Sequence, residues 1–206
     1  MSRATVAGFP VFPDSKADVS DYLESMQEYL ILPGFQGSGP LHWQTLWEAE
    51  DSSFKRVVQE DWNHPDLLTW LNGLDAAVQA ATGDVVLVAH SLASLLVAHW
   101  AVRASSQRRA KVKAALLVAI VDPASPAFPG AAIGFSPVPA APLPFRSLVV
   151  ASTDDPYASV EFALRCSQRW NSLFEVIGPK GHINSDSGLG NWPEGKSLLE
   201  GLVKGI

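Results

Sequence analysis

Ser91 stands in the run "GDVVLVAHSLASLLVAHW", Gly83 to Trp100, where the apolar stretch Val85–Ala89 ends and a second apolar stretch begins at Leu92. A hydroxyl at the junction of a buried strand and a buried helix is pushed out beyond the carboxyl end of a sheet. The following helix aims its free N–H groups and the positive end of its dipole at the same point. So sharp a turn needs small residues two before and two after the serine, usually as G-x-S-x-G; Ala89 and Ala93 hold those positions here. A serine becomes a nucleophile only beside a base, and the base needs an acid to orient it. On a wound sheet the order along the chain is Ser, then Asp or Glu, then His. "VVASTDDPY" supplies Asp154 and Asp155 at the end of a strand, and "VIGPKGHIN" supplies His182 after Gly181 at the end of the next. Of five histidines, only His182 follows a strand downstream of the acids. Asp122, at the end of an earlier strand, is a substitute acid. The chemistry of such a set is acyl transfer.

Acyl transfer also needs donors for an oxyanion. The backbone N–H of Leu92 is one candidate, and the N–H of Phe35 in "LPGFQGSG" is the other, with Gly34 and Gly37 letting that loop approach closely. The same loop has no G-K-[ST] and does not match G-x-G-x-x-G, which argues against a phosphate-cradling loop or a dinucleotide site. No His, Cys and carboxylate group has metal-ligand spacing, so neither metal nor cofactor is expected. Trp62 and Trp192 sit near element ends and are candidates to line an acyl pocket. Trp43, Trp47, Trp70, Trp100 and Trp170 fall at helical positions and read as packing residues. His42 reads as a surface or core residue in preference to one facing the site, His64 as the start of a helix, and the His90 side chain as pointing into the scaffold.

The elements that must position these groups follow from periodicity. Short apolar runs without alternation, "EYLILPG", "FKRVVQED", "DVVLVA", "AALLVAIV", "RSLVVAS" and "LFEVIG", read as strands covered on both faces. Between them lie helical patterns: Trp43 and Trp47 four apart on one face, a helix from Pro65 with the stripe Leu67, Leu68, Leu71, Leu74 and Val78, a helix over 92–103, one over about 158–170, and a closing helix over about 194–203. The alternation predicts a three-layer α/β fold with a mostly parallel sheet of about six strands and helices on both faces. Residues 122–145 are proline-rich and read as an irregular loop forming one wall of a pocket.

At 206 residues the chain suits one domain over 26–206, with residues 1–25 as an extension that Pro10 and Pro13 keep from forming a continuous helix. A net charge of −6 and one cysteine, Cys166, exclude an internal disulfide and fit a reducing, cytoplasmic setting. The cluster Arg103, Arg108, Arg109, Lys111 and Lys113 reads as a solvated helix end and loop, so no nucleic-acid partner is expected. No apolar run approaches the ~20 residues of a membrane span, and the N-terminus lacks the apolar core of a secretory signal.

"LPGFQGSGPLHWQTLWE", "AHSLAS", "ASTDDPY" and "GHINSDSGLGNWPEG" resemble the small, lidless α/β-hydrolase family that includes the retinoblastoma-binding protein 9 group and its bacterial YdeN-like relatives, from about Glu28 to the C-terminus. The resemblance implies an α/β-hydrolase fold and a serine hydrolase with esterase-like activity. It places the three reacting groups on Ser91, Asp155 and His182, and so prefers Asp155 over Asp154. Ala93 stands where the family usually has glycine. The expected substrate is a small-molecule ester, or less readily an amide. A binding module that keeps the scaffold without catalysis is the alternative, and a C–C bond hydrolase or perhydrolase would use the same three groups.

Overall fold

The computed structural model describes residues 27–204. The extension assigned to residues 1–25, and the domain boundary at 26, lie outside the described residues. Six strands form one sheet: β1 (Gln27–Leu32), β2 (Phe54–Arg56), β3 (Asp84–His90), β4 (Val112–Val118), β5 (Arg146–Ala151) and β6 (Leu173–Val176). Their order is β2-β1-β3-β4-β5-β6 and every pair is parallel. The helices are α1 (Trp43–Glu50), α2 (Leu67–Ala80), α3 (Leu92–Arg103), α4 (Ser106–Lys111), α5 (Val160–Trp170) and α6 (Pro193–Val203). The expected three-layer architecture is borne out.

Both faces of the central strands are buried because their side chains alternate between two apolar layers. Val85, Leu87 and Ala89 of β3 pack with Leu71, Leu74 and Val78 of α2 and with α3. Val86 and Val88 of the same strand pack on the other face with Trp43 and Trp47 of α1 and Leu199 and Leu202 of α6. Each segment is therefore apolar throughout, with no polar alternation. The chain leaves β1 outward to β2, then crosses back to β3 on the other side of β1. That reversal opens a crevice at the carboxyl ends of β1 and β3, where open sheets of this kind bind ligands.

Several boundaries differ from the sequence expectation. The second strand is only three residues long: Val57 N–H still reaches the carbonyl of Ile31 at 2.9 Å, but Val58 is 74% exposed and the chain has left the edge. The fourth strand starts earlier, at Val112, and ends at Val118, because Ala119 adopts φ 52°. Pro65 lies outside α2, whose cap is Asp66, accepting from Thr69 N–H. Leu68 is not part of the buried stripe; it is 66% exposed. The short helix α4 was not expected. The segment 122–145 contains no named element, as expected, yet it is tied down: Ile133 pairs with Asp66, His99 bonds the carbonyl of Phe135, and Trp170 bonds that of Pro139.

Candidate active site

Ser91 is the joint between β3 and α3 and adopts φ 58°, ψ −125°. Outside glycine this is strained backbone, and it persists only where the surroundings over-determine it. Here they do. Ser91 N–H donates to Val118 of β4 at 2.8 Å, and its carbonyl accepts Ser94 N–H at 2.9 Å. Ala89 and Ala93 are fully buried on either side. The loop after β1 rests directly on this turn. A Cβ on Gly34 would lie 2.8 Å from Ser91 Cβ, 3.0 Å from the His90 carbonyl and 3.2 Å from Leu92 N. Gly34 is thus required by close approach. Leu92 opens α3, so its N–H has no acceptor within the helix. In the facing loop Gln36 N–H donates to the Trp62 carbonyl and Gly37 N–H to the Gly34 carbonyl.

His182 reaches Ser91 from the far edge of the sheet. The segment after β6 runs back across the ends of β5 and β4, and the side chains of α1 hold it. Trp43 Nε1 donates to the Ile183 carbonyl at 2.8 Å, and Trp47 Nε1 to the Asn191 carbonyl at 2.7 Å. His182 Nε2 lies 2.8 Å from Ser91 Oγ. Its Nδ1 lies 3.0 and 2.9 Å from the two carboxylate oxygens of Asp155. The carboxylate assigns the proton to Nδ1, so Nε2 offers its lone pair to the serine hydroxyl. Asp155 also accepts Tyr157 N–H at 2.9 Å, and both acid and imidazole side chains are buried.

Adjacent Asp154 does something else. It accepts from Ser152 Oγ at 2.8 Å and from Gly181 N–H at 2.7 Å, bonds that hold its carboxyl below the usual carboxylate range. It fixes the loop before His182 and leaves the imidazole to its neighbour. Asp122 caps its own turn through Ala124 N–H and makes no bond to His182.

A cavity of about 220 Å³ opens at Ser91, with Phe35, Gln36, Pro129, Tyr157 and Asn184 in its wall. Pro129 comes from the proline-rich segment, as expected of a pocket wall. Trp192 is a correction. It is 1% exposed, packs against Trp43 and Trp47 at ring distances of 5.0 and 6.2 Å, and does not reach the cavity. Gly195 makes the space: any side chain there would strike the Trp192 indole. Trp62 also stays out of the cavity wall; it stacks edge-on against Trp70 and backs Gly37, supporting the Phe35 loop from behind.

Two residues at the site, Tyr157 and His90, were not foreseen there, and a third, His42, takes the less favoured of its two placements. His42 is buried, lines the cavity, and caps α1 by accepting Gln44 N–H at Nδ1. Burial, then the charges of Arg56 and His182, pushes it down to about 3. Tyr157 packs its ring 4.3 Å from that of His182. His90 bonds the His182 backbone rather than merely facing the scaffold. The proximity of His42 to Trp43 in "LHWQTLWE" and of Tyr157 to the acids were the available signals. Nothing local in the sequence signals the His90 contact. Among the described residues no group of His, Cys and carboxylates is arranged to hold a metal ion, and no helix is long and apolar enough to cross a membrane.

The family described as "Serine hydrolase" matches residues 29–201. The chain belongs to the serine hydrolase family. A protein described as a YdeN-like hydrolase from Pectobacterium atrosepticum is 26% identical, with TM-score 0.78 over 92% of this chain and 98% of the other. The ydeN gene product of B. subtilis is 18% identical, with TM-score 0.67 over 86% and 98%. A thermophilic esterase from Thermogutta terrifontis, 17% identical, has TM-score 0.62 over 86% and 90%. The last two show likeness of fold. No curated protein sequence matches the chain. As a member of this family the protein is a hydrolase of the small YdeN type, with a small molecule as substrate.

Proposed function

We propose that this serine hydrolase cleaves a small carboxylic ester through an acyl-enzyme on Ser91. One observation carries the reading: the unbroken line from Asp155 through both ring nitrogens of His182 to Ser91 Oγ, each step 2.8–3.0 Å. Ser91 Oγ attacks the carbonyl carbon while His182 Nε2 takes its proton. The Asp155 carboxylate stabilises the imidazolium and holds its tautomer. The oxyanion that forms lies between the N–H groups of Phe35 and Leu92. Collapse expels the alcohol, which receives the proton from His182. Water, deprotonated by the same imidazole, then releases the acid and restores Ser91. The strained turn at Ser91 serves as the nucleophile elbow. A cavity of about 220 Å³ supports a short acyl chain. Amides, with a poorer leaving group, are the slower substrates.

The test is covalent. A fluorophosphonate probe is expected to label the protein at Ser91 and nowhere else, and short p-nitrophenyl esters to turn over. Cys166 offers no competing nucleophile, since burial pushes its thiol up to about 11. Equal labelling of Ser91→Ala and wild type would overturn the reading.

A further inference from the structure

His90 is an unusual residue to place at the end of a central strand. It is buried, and its Nε2 lies 2.9 Å from the backbone carbonyl of His182, 92 residues away in sequence. A carbonyl only accepts, so His90 carries its proton on Nε2 and donates it. The ring is wedged between two other imidazoles, 4.7 Å from that of His42 and 4.9 Å from that of His182. We propose that His90 is the positioning residue for the base: through its Nε2–H it ties the backbone of His182 to the dipeptide that carries the nucleophile.

The proposal rests on the hydrolase reading above and deepens it. Ser91 and His182 come from β3 and from the segment after β6, separated in the sheet by β4 and β5. Left to itself, a long segment after an edge strand does not hold an imidazole to a fraction of an ångström. The His90 bond joins the two parts at the point of reaction. His182 is then gripped twice by consecutive residues, at its Nε2 by Ser91 Oγ and at its carbonyl by His90 Nε2. Because His90 and Ser91 are covalent neighbours, a shift of the turn carries the base with it. Trp43 supports the next carbonyl, that of Ile183.

Charge follows the same logic. Burial, then the nearness of His42 and His182, holds His90 well below the usual histidine range. His42 is likewise held low by burial, by Arg56 and by His182. Two of the three neighbouring imidazoles therefore stay neutral. His90 has its N–H committed, so it neither competes for the serine proton nor opposes the imidazolium at His182. A lysine or arginine would supply a donor too, but with a buried charge beside the one the reaction creates.

Three variants separate positioning from packing. His90→Gln keeps an N–H at the reach of Nε2. His90→Asn keeps the amide but is one methylene short. His90→Leu keeps bulk without a donor. With melting temperature recorded for each, Leu and Asn are expected to lower kcat by roughly tenfold or more, toward the ~10²-fold that a 1 Å misplacement can cost, with KM changed less than about twofold. Gln is expected to recover most of the rate. The second readout needs no substrate: the downfield Nδ1–H proton resonance of His182, bonded to Asp155, should persist in wild type and Gln and broaden in Leu and Asn. If wild type turns over no ester, the hydrolase reading fails and the resonance pattern alone decides the positioning role. The same rate and resonance in all four proteins would overturn it, as would an equal fall in all three variants, which is the signature of packing.

Discussion

The two ends of one sheet are built on opposite principles. At the carboxyl end the backbone is strained and polar atoms go unmatched. Of the six non-glycine residues with positive φ among those described, Gln36, Ser91, Ala119, Ile183 and Trp192 follow strands; only Asn171 lies on a connection at the amino end. The buried side-chain atoms without a partner among the described residues, His42 Nε2, Gln59 Oε1, Asn191 Oδ1 and Trp192 Nε1, also belong to segments leaving the carboxyl ends. At the amino end, charges are paired and helix ends are closed. Glu28 accepts from Lys55, Thr82 and Gly83. Lys113 faces Asp84, Arg108 holds Asp75, and Lys111 donates to the last carbonyls of α2 at Val78, Gln79 and Ala81. Strain and unmatched polar atoms collect where the site is, while the amino end carries ion pairs and closed helix ends, which is what a fixed geometry of reacting groups demands.

The largest effects should break the link between activity and stability at the carboxyl end. Ser91→Ala is expected to lower ester turnover by about 10⁴-fold or more. Ser91→Gly should lose as much turnover yet melt higher than Ser91→Ala, because glycine accepts φ 58° without the strain, a difference of roughly 1 kcal/mol. Paired kinetics and melting curves check both. A glycine variant that melts lower than the alanine one would remove strain from the account of this end.

Gly34→Ala comes next. Its Cβ would meet Ser91 Cβ, the His90 carbonyl and Leu92 N, all backbone or near it, so the loop or the turn must shift. A shift of that kind would separate the proposed Phe35 and Leu92 donors and should lower kcat by about 10²-fold, while overpacking destabilises by about 1–3 kcal/mol. Trp43→Phe keeps an aromatic ring but loses the indole N–H to the Ile183 carbonyl and part of the buried volume. It should cost about 1–3 kcal/mol for the carbonyl left without its donor and lower kcat about tenfold through the His182 segment. Fluorophosphonate labelling rates, read beside unfolding curves, separate the two contributions.

The legible parts were those with a local cause. Apolar runs without alternation announced strands covered on both faces, and Ser91, the pair Asp154–Asp155 and His182 stood out because each follows a strand; the preference for Asp155 came from the family resemblance. The choice between Asp154 and Asp155 was not local. Both lie in one turn after β5, and only the path of the segment carrying Gly181 and His182 decides which carboxylate meets a backbone N–H and which meets the ring. Trp192 was misread for a similar reason: whether an indole lines a cavity or fills a core depends on the room left by Gly195, one turn along α6. The basic cluster read as solvated surface instead supplies Lys111 and Arg108 to the amino end, because their acceptors on α2 lie some 30 residues earlier in the chain. Tertiary partners, not patterns, decide these cases.

The smallest effect on activity, and the cleanest check of the amino end, comes from Glu28. Burial opposes its charge, but the bonds from Lys55, Thr82 and Gly83 prevail and hold its carboxyl at about 2 against an ordinary 4.5. A carboxyl lowered on folding stabilises the protein fully above its unfolded value and loses that contribution as pH falls through its folded value. The window is therefore pH 4.5 down to about 2. Glu28→Gln cannot ionise, so its melting temperature should lie below that of wild type at pH 7, and the gap should close as pH drops through that window. Lys55 is 57% exposed, so solvent screens the pair and the expected gap is on the order of 1 kcal/mol, or a few degrees. Ester turnover at pH 7 should not change, since Glu28 sits at the opposite end of β1 from Gly34. A gap that stays constant with pH would mean that Glu28 acts by packing alone. A fall in kcat without a fall in melting temperature would mean that the two ends of the sheet are coupled after all.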